Sequence, residues 1–290
     1  MRFGLVGTGY WARVTHAPAL ASTAGVDLAA VWGRDTAAAA KLAAEHGATP
    51  HADLDAFLDD VEAVAFAVPP DVQAPIAVRA ANRGKHLLLE KPIAVDQAAA
   101  DALTEAVEHG NVASVVFFTS RFQPEIRDWL GTVAATPGWL GGLGLWLGTA
   151  LSATSPFNTP WRRDKGALWD TTPHLVSLLW ATLGPVTGVT AVAGPADVTH
   201  LVLRHENGAT STATTTLSAP REAAIAELTL WGEAGRSAAP LAATQPVPAL
   251  RTALAELTAA ATSGQLRHPC DVRFGHAIGR VLAAAADQLS

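Results

Sequence analysis

The chain reads as an α/β protein: an N-terminal parallel sheet followed by a C-terminal α+β domain on a mixed or antiparallel sheet. Three observations predict this. Residues 1–120 alternate short apolar runs with longer helical patterns, the mark of βαβ units. A glycine turn closes the first apolar run and opens a helix. From Val186 onward several strand patterns follow one another with no helix between them, which points to antiparallel pairing. At 290 residues, two domains are expected from a prior of about 150 residues each, divided as 1–121 and 122–290.

Taken in order, residues 3–6 form the first strand and 10–22 the first helix. Residues 26–32 are the second strand, followed by an alanine-rich helix over 36–46 that Gly47 ends and a short helix over 54–59. The third strand, 63–68, is stopped by Pro69-Pro70; a helix over 74–82 closes at Gly84, and 86–90 is the fourth strand. Asp96 caps a helix running to 108, and 112–119 is the fifth strand. A short helix over 124–130 leads to a strand around 143–151, then a loop rich in Ser, Thr, Asn and Pro, then a helix over 172–183. Strands over 186–193, 198–204, 210–217 and 224–231 follow. Residues 245–248 read as a loop, and helices over 250–261 and 274–289 close the chain.

Composition narrows the function classes. Hydrophobic residues make up 49% and charged residues 16%, too apolar for disorder and sufficient for a core. Net charge is −6, from 20 basic and 26 acidic residues, so no broad basic surface invites nucleic acid. The single cysteine, Cys270, excludes a disulfide framework and a cysteine-rich metal site, and no metal is expected. Two stretches without charge, 129–161 and 171–196, are broken by Gly and Pro before they reach the roughly 20 apolar residues of a membrane span. Apolar residues run from Phe3 straight into the glycine turn without a signal-peptide layout, so the expected location is the cytoplasm.

The glycine turn is Gly7-Thr8-Gly9-Tyr10-Trp11-Ala12. Gly7 suits a tight turn, Gly9 lets backbone approach a pyrophosphate, and Ala12 lets helix pack on strand. Placed after a strand and before a helix, this is a Rossmann dinucleotide site. The second strand ends Val31-Trp32-Gly33-Arg34-Asp35. Gly33 stands where NAD-binding chains carry an acid, and Arg34 follows, which favours NADP over NAD. The other reading has Arg34 stacking on adenine or facing solvent while Asp35 caps the next helix. At the end of the fourth strand, Glu90 and Lys91 fall where nicotinamide would lie, with Pro92 restricting the backbone beyond. Lysine is kept there in a chain with only four lysines against sixteen arginines.

These motifs, with Gly84-Lys85-His86 leading into Glu90-Lys91-Pro92, Arg121-Phe122-Gln123-Pro124, and Gly166 through Asp170 to His174, resemble the glucose-fructose oxidoreductase / inositol dehydrogenase (GFO/IDH/MocA) family over nearly the whole chain. The resemblance implies an NAD(P)-dependent dehydrogenase acting on a secondary alcohol or ketone of a sugar, cyclitol or diol. By position, Lys91, Asp170 and His174 would be catalytic. Val68, Pro69 and Arg121 would join Gly7–Ala12, Gly33, Arg34, Glu90 and Lys91 at the cofactor. Trp161 and Arg162 would join Lys91, Asp170 and His174 at the substrate. From their place just before the helix of Asp170 and His174, Arg162 and Arg163 could hold a polar or acidic substrate, or else pair with Asp164 or face solvent. The family pattern also implies a homodimer or homotetramer formed through the C-terminal sheet. The alternatives are a non-catalytic NAD(P)-binding regulator, or a reductase of an imine or conjugated ring.

The residues bear on this independently. Asp170 and His174 are spaced to share a helix face, but Pro173 fits best in a first turn, which moves Asp170 to the cap or just before it. The chain departs from the family at Val68-Pro69-Pro70-Asp71-Val72-Gln73, where Thr-Pro, then Asn, then a His three residues on are usual.

Overall fold

The computed structural model describes residues 1–241 and 245–289, and their contacts divide into two compact units, Met1–Phe117 with Gln245–Ala277 and Phe118–Thr244 with Ile278–Ser290. In the first unit, β1 (Arg2–Val6) leads through a π-helical turn, Ala12–His16, into α1 (Ala17–Ser22). There follow β2 (Asp27–Trp32), α2 (Thr36–His46), β3 (Thr49–His51), α3 (Leu54–Asp59), β4 (Ala63–Phe66), α4 (Pro70–Asn82), β5 (His86–Leu89), α5 (Gln97–His109) and β6 (Ser114–Val116). All six strands run parallel in the order β3-β2-β1-β4-β5-β6. Phe3, Leu5, Phe66 and Leu87–Leu89 are fully buried, as expected of strands covered on both faces.

The second unit contains α6 (Pro124–Ala134), β7 (Trp139–Leu147), α7 (Pro160–Asp170), α8 (Thr172–Leu183), β8 (Val186–Ala193), β9 (Thr199–His205), β10 (Thr210–Thr216), β11 (Ile225–Gly232) and β12 (Gly235–Ala238). Its sheet has the order β12-β11-β7-β10-β9-β8, antiparallel except for the β7–β10 pair. β9 alternates buried and exposed along its length, so one face is packed and the other open. Two helices close the chain, α9 (Pro246–Ser263) and α10 (Val272–Ala286).

The expected α/β class, a parallel Rossmann sheet plus a second mixed sheet, is the observed one. Several elements differ. β3 is a sixth strand the pattern did not reveal: three residues long and centred on Pro50, it is tolerated because it lies at the sheet edge. The strand expected over 112–119 ends at Val116 and gives way to a 3-10 turn, Thr119–Phe122. The strand expected over 143–151 runs over Trp139–Leu147, and β12 was not anticipated. Residues 246–248, read as loop, begin α9, since a proline in a helical first turn gives up no hydrogen bond. α9 packs against α1, β5 and β6 in the first unit, whereas the expected division assigned all of 122–290 to the second domain. No described helix is long and apolar enough to cross a membrane.

Candidate active site

β1 enters the glycine turn with Gly7 N–H donating to Trp32 O at 2.9 Å. Gly7 has φ +126°, and a Cβ there would lie 2.5 Å from Ala67 O, so only glycine fits the turn. Around Gly9 no protein atom lies within 4 Å of a would-be Cβ, which leaves the backbone open to a pyrophosphate. Ala12 is fully buried beneath the helix it opens. The turn therefore fits a dinucleotide on its own geometry. Tyr10 is exposed and Trp11 half-buried, and the Trp11 indole N–H donates to Glu90 Oε1 at 2.6 Å. That bond ties the glycine turn to the end of β5.

At the end of β2, a Cβ on Gly33 would meet the Thr8 methyl at 2.8 Å. Thr8 thus occupies the space where an acidic side chain would begin. Arg34 is exposed, and Asp35 caps α2 by accepting from Ala38 N–H at 3.0 Å. Val68 packs beside Gly7, and Pro69 is the exposed residue that opens α4. Because β1 and β4 are neighbours in a sheet whose strand order turns back between them, Gly7–Ala12, Val68 and Pro69 all sit at the topological switch point. One strand further on, Glu90 and Lys91 follow β5, both half-buried, and the Lys91–Pro92 peptide is cis.

Two further residues in this unit bear on the site, one of them, His16, without a signal in the sequence. His16 is 1% exposed at the end of the π turn, its Nε2 3.6 Å from Glu90 Oε1. Burial lowers its pKa to about 4, and its ring nitrogens face backbone near Trp11 and Phe66 without reaching hydrogen-bond geometry. Gln73 stands where the family pattern has His; fully buried in α4, it bonds the backbone of Glu90.

In the second unit, Asp170 ends α7 and His174 lies in the first turn of α8, with Pro173 beside it. The two are therefore on separate helices. Both Asp170 oxygens accept from Arg162, Nε to Oδ2 at 2.8 Å and Nη2 to Oδ1 at 3.3 Å. The Arg162 guanidinium lies 5.3 Å from the Phe157 ring centre and 6.0 Å from that of Trp161, which steadies it further. Arg163 bonds Asn158 Oδ1 at 2.7 Å. His174 is 8% exposed and stacks on Trp146 of β7 with ring centres 5.2 Å apart. Arg121 donates to Ser177 O at 3.0 Å. Gly166, at φ +62°, breaks α7 and turns the segment bearing Asp170. Among the described residues no group of three or more His, Cys, Asp or Glu could hold a metal.

Comparison with known proteins agrees with this architecture. Residues 1–118 match the GFO/IDH/MocA oxidoreductase family with an NAD-binding Rossmann fold, and 147–237 match the GFO/IDH/MocA C-terminal domain. The chain is 29% identical over 201 residues to 4-carboxy-2-hydroxymuconate-6-semialdehyde dehydrogenase of Sphingobium sp. (strain NBRC 103272 / SYK-6), covering 67% of this chain and 63% of that one. It is 31% identical over 197 residues to inositol 2-dehydrogenase of Rhizobium meliloti (strain 1021), covering 67% and 58%. The chain thus spans less than two thirds of these curated relatives. Its fold matches the crystal structure of a myo-inositol dehydrogenase from Corynebacterium glutamicum ATCC 13032 with a TM-score of 0.85 at 20% identity, over 100% of this chain and 96% of that one. Both halves of the family pattern, on the two units in which the structure resolves it, are present here, and the chain belongs to the GFO/IDH/MocA family of NAD(P)-binding oxidoreductases.

Proposed function

We propose that this protein is an NAD(P)-dependent dehydrogenase acting on a secondary alcohol, or its ketone, in a sugar, cyclitol or diol. The observation that carries the reading is the set of groups at the C-terminal ends of β1, β4 and β5: an open glycine turn, Val68-Pro69, and Glu90-Lys91. A bound nicotinamide would supply hydride transfer, and the chain supplies orientation and proton handling. Lys91 hydrogen-bonds the reacting oxygen and holds its proton. His174 is the second proton carrier, held flat against Trp146. Asp170, with both oxygens committed to Arg162, orients rather than carries a proton. Arg162 in turn reaches substrate only as part of that pair. Turnover followed by nicotinamide absorbance against inositols, monosaccharides, diols and carboxylated aldehydes tests the reading; oxidation of none of the alcohols would sink it.

NADP is the cofactor we assign, because Thr8 blocks an acid at Gly33 and exposed Arg34 offers a charge to a 2′-phosphate. A charged hydrogen bond is worth ~1.5–3 kcal/mol, so NADPH should bind roughly 10- to 100-fold more tightly than NADH, and Arg34→Ala should erase the difference. Equal dissociation constants in the wild type, or tighter NADH, would reverse the assignment.

A further inference from the structure

Gln73 is fully buried in α4, and its side-chain amide is committed to one stretch of backbone. Oε1 accepts from Glu90 N–H at 2.8 Å, while Nε2 donates to Glu90 O at 2.8 Å and lies 3.2 Å from Ile93 O and 3.4 Å from Pro92 O. The ladder of β5 stops just short of this stretch, pairing Leu88 with β4 and Leu89 with β6. One residue later the Gln73 amide offers Glu90 a donor and an acceptor, as a neighbouring peptide group would. A buried amide is tolerated when its hydrogen bonds are made. Among the described residues, those of this side chain all go to backbone flanking Lys91.

We infer that Gln73 is a positioning residue: its amide fixes the backbone from Glu90 to Ile93 and thereby the place of the Lys91 ε-amino group. The inference rests on the proposed reading of Lys91 as a proton-handling group. It requires both halves of the amide. Leucine at this position makes neither bond. An ionised glutamate keeps the acceptor but sets a negative oxygen against the carbonyls of Glu90 and Ile93. A protonated glutamate restores a donor and an acceptor, and burial favours that neutral form.

The test compares the wild type with Gln73→Leu and Gln73→Glu, each checked for cooperative melting, by two measurements that need no substrate. One is amide hydrogen exchange across residues 87–95. The other is competitive acetylation by acetic anhydride of the four lysines, in which Lys41, Lys85 and Lys165 serve as internal references for Lys91. Gln73→Leu should speed exchange of the Glu90 amide roughly tenfold and change Lys91 acetylation beyond the spread of the three references. Gln73→Glu should exchange like Gln73→Leu near pH 8.5 and like the wild type near pH 5.5, after correction for intrinsic rates. A variant that only loosened the unit would show no such return. Unchanged exchange overturns the inference. Faster exchange with unchanged Lys91 acetylation overturns it too, because the amide would then hold the backbone without placing the lysine. If Gln73→Leu does not melt cooperatively, Gln73→Glu decides alone: exchange that is the same at both pH values refutes the inference. Wild-type turnover in Lys91→Met would instead remove the reading of Lys91, while exchange and acetylation still judge Gln73.

Discussion

Lys91 lies just beyond β5 with its neighbours on both sides anchored, so removing its amine should leave the backbone where it is. Lys91→Met is therefore expected to lower kcat by ~10²–10⁴-fold, the usual range for general acid–base catalysis, with affinity for the nicotinamide cofactor changed far less. His174→Ala should cost a comparable factor, and the double variant little more than the larger single loss, since groups acting as a unit are not additive. Near-wild-type kcat in a folded Lys91→Met protein would falsify the catalytic role. Much of this site was legible in single residues. Pro173 already signalled that Asp170 and His174 would straddle a helix start, and they do. The partner of Asp170 was not legible, because Arg162 reaches it only through the break at Gly166, a backbone angle that no periodicity announces. Gln73 was visible only as a departure from the family pattern; its use emerges when α4 is set beside the end of β5.

The first helical segment shows how an element can differ from its pattern while keeping its place. Residues 10–22 read as one helix, but Ala12–His16 is a π turn that ends two residues before Pro18, a residue with no N–H to give and a ring that crowds the preceding turn. The widened turn ends with His16 fully inside the unit. Its folded pKa of about 4 lies below the ordinary 6.5, so between those values the unfolded chain binds the extra proton. The stability this site contributes is whole above pH 6.5 and is lost as pH falls through 6.5 toward 4. Between pH 7 and 4.5 the loss should be on the order of 2–3 kcal/mol at this residue. Denaturant titrations of the wild type and His16→Asn at both pH values measure it as a difference of differences. Equal gaps between the two proteins at pH 7 and pH 4.5 would show that His16 does not titrate in this way. Short elements such as β3 and β12 escaped the sequence for a simpler reason: three or four residues carry no resolvable alternation.

On the scale of the whole molecule, the open face of the second sheet carries our expectation of self-association. Thr229, Leu143, Thr212, Val202 and Thr190 stand in register across five strands without a charge among them, and Leu143 and Val202 are 54% and 45% exposed. Val192 and Trp231 add exposed apolar side chains in the flanking rows, which also carry Glu227 and Arg204. Apolar faces of this kind mark interaction sites on otherwise polar surfaces. We propose a homodimer or homotetramer through this sheet. Sedimentation at micromolar concentration should show a species of at least twice the 29.9 kDa chain, and Leu143→Lys with Val202→Glu should return it to one chain. A wild type that sediments only as a single chain ends the proposal.

The return of α9 to the first unit bears on how the protein is made. On a ribosome, β6 is complete at Val116, but the helix that packs on β5, β6 and α1 begins only at Pro246. Throughout synthesis of the second sheet, the nucleotide-binding unit waits with apolar strand and helix surface uncovered, a state prone to mispairing. A gene fragment ending near residue 121 would freeze the chain in that waiting state. The two units are thus interleaved in time: the first closes only with the segment that ends at Ala277, and the second only with the residues from Ile278 on.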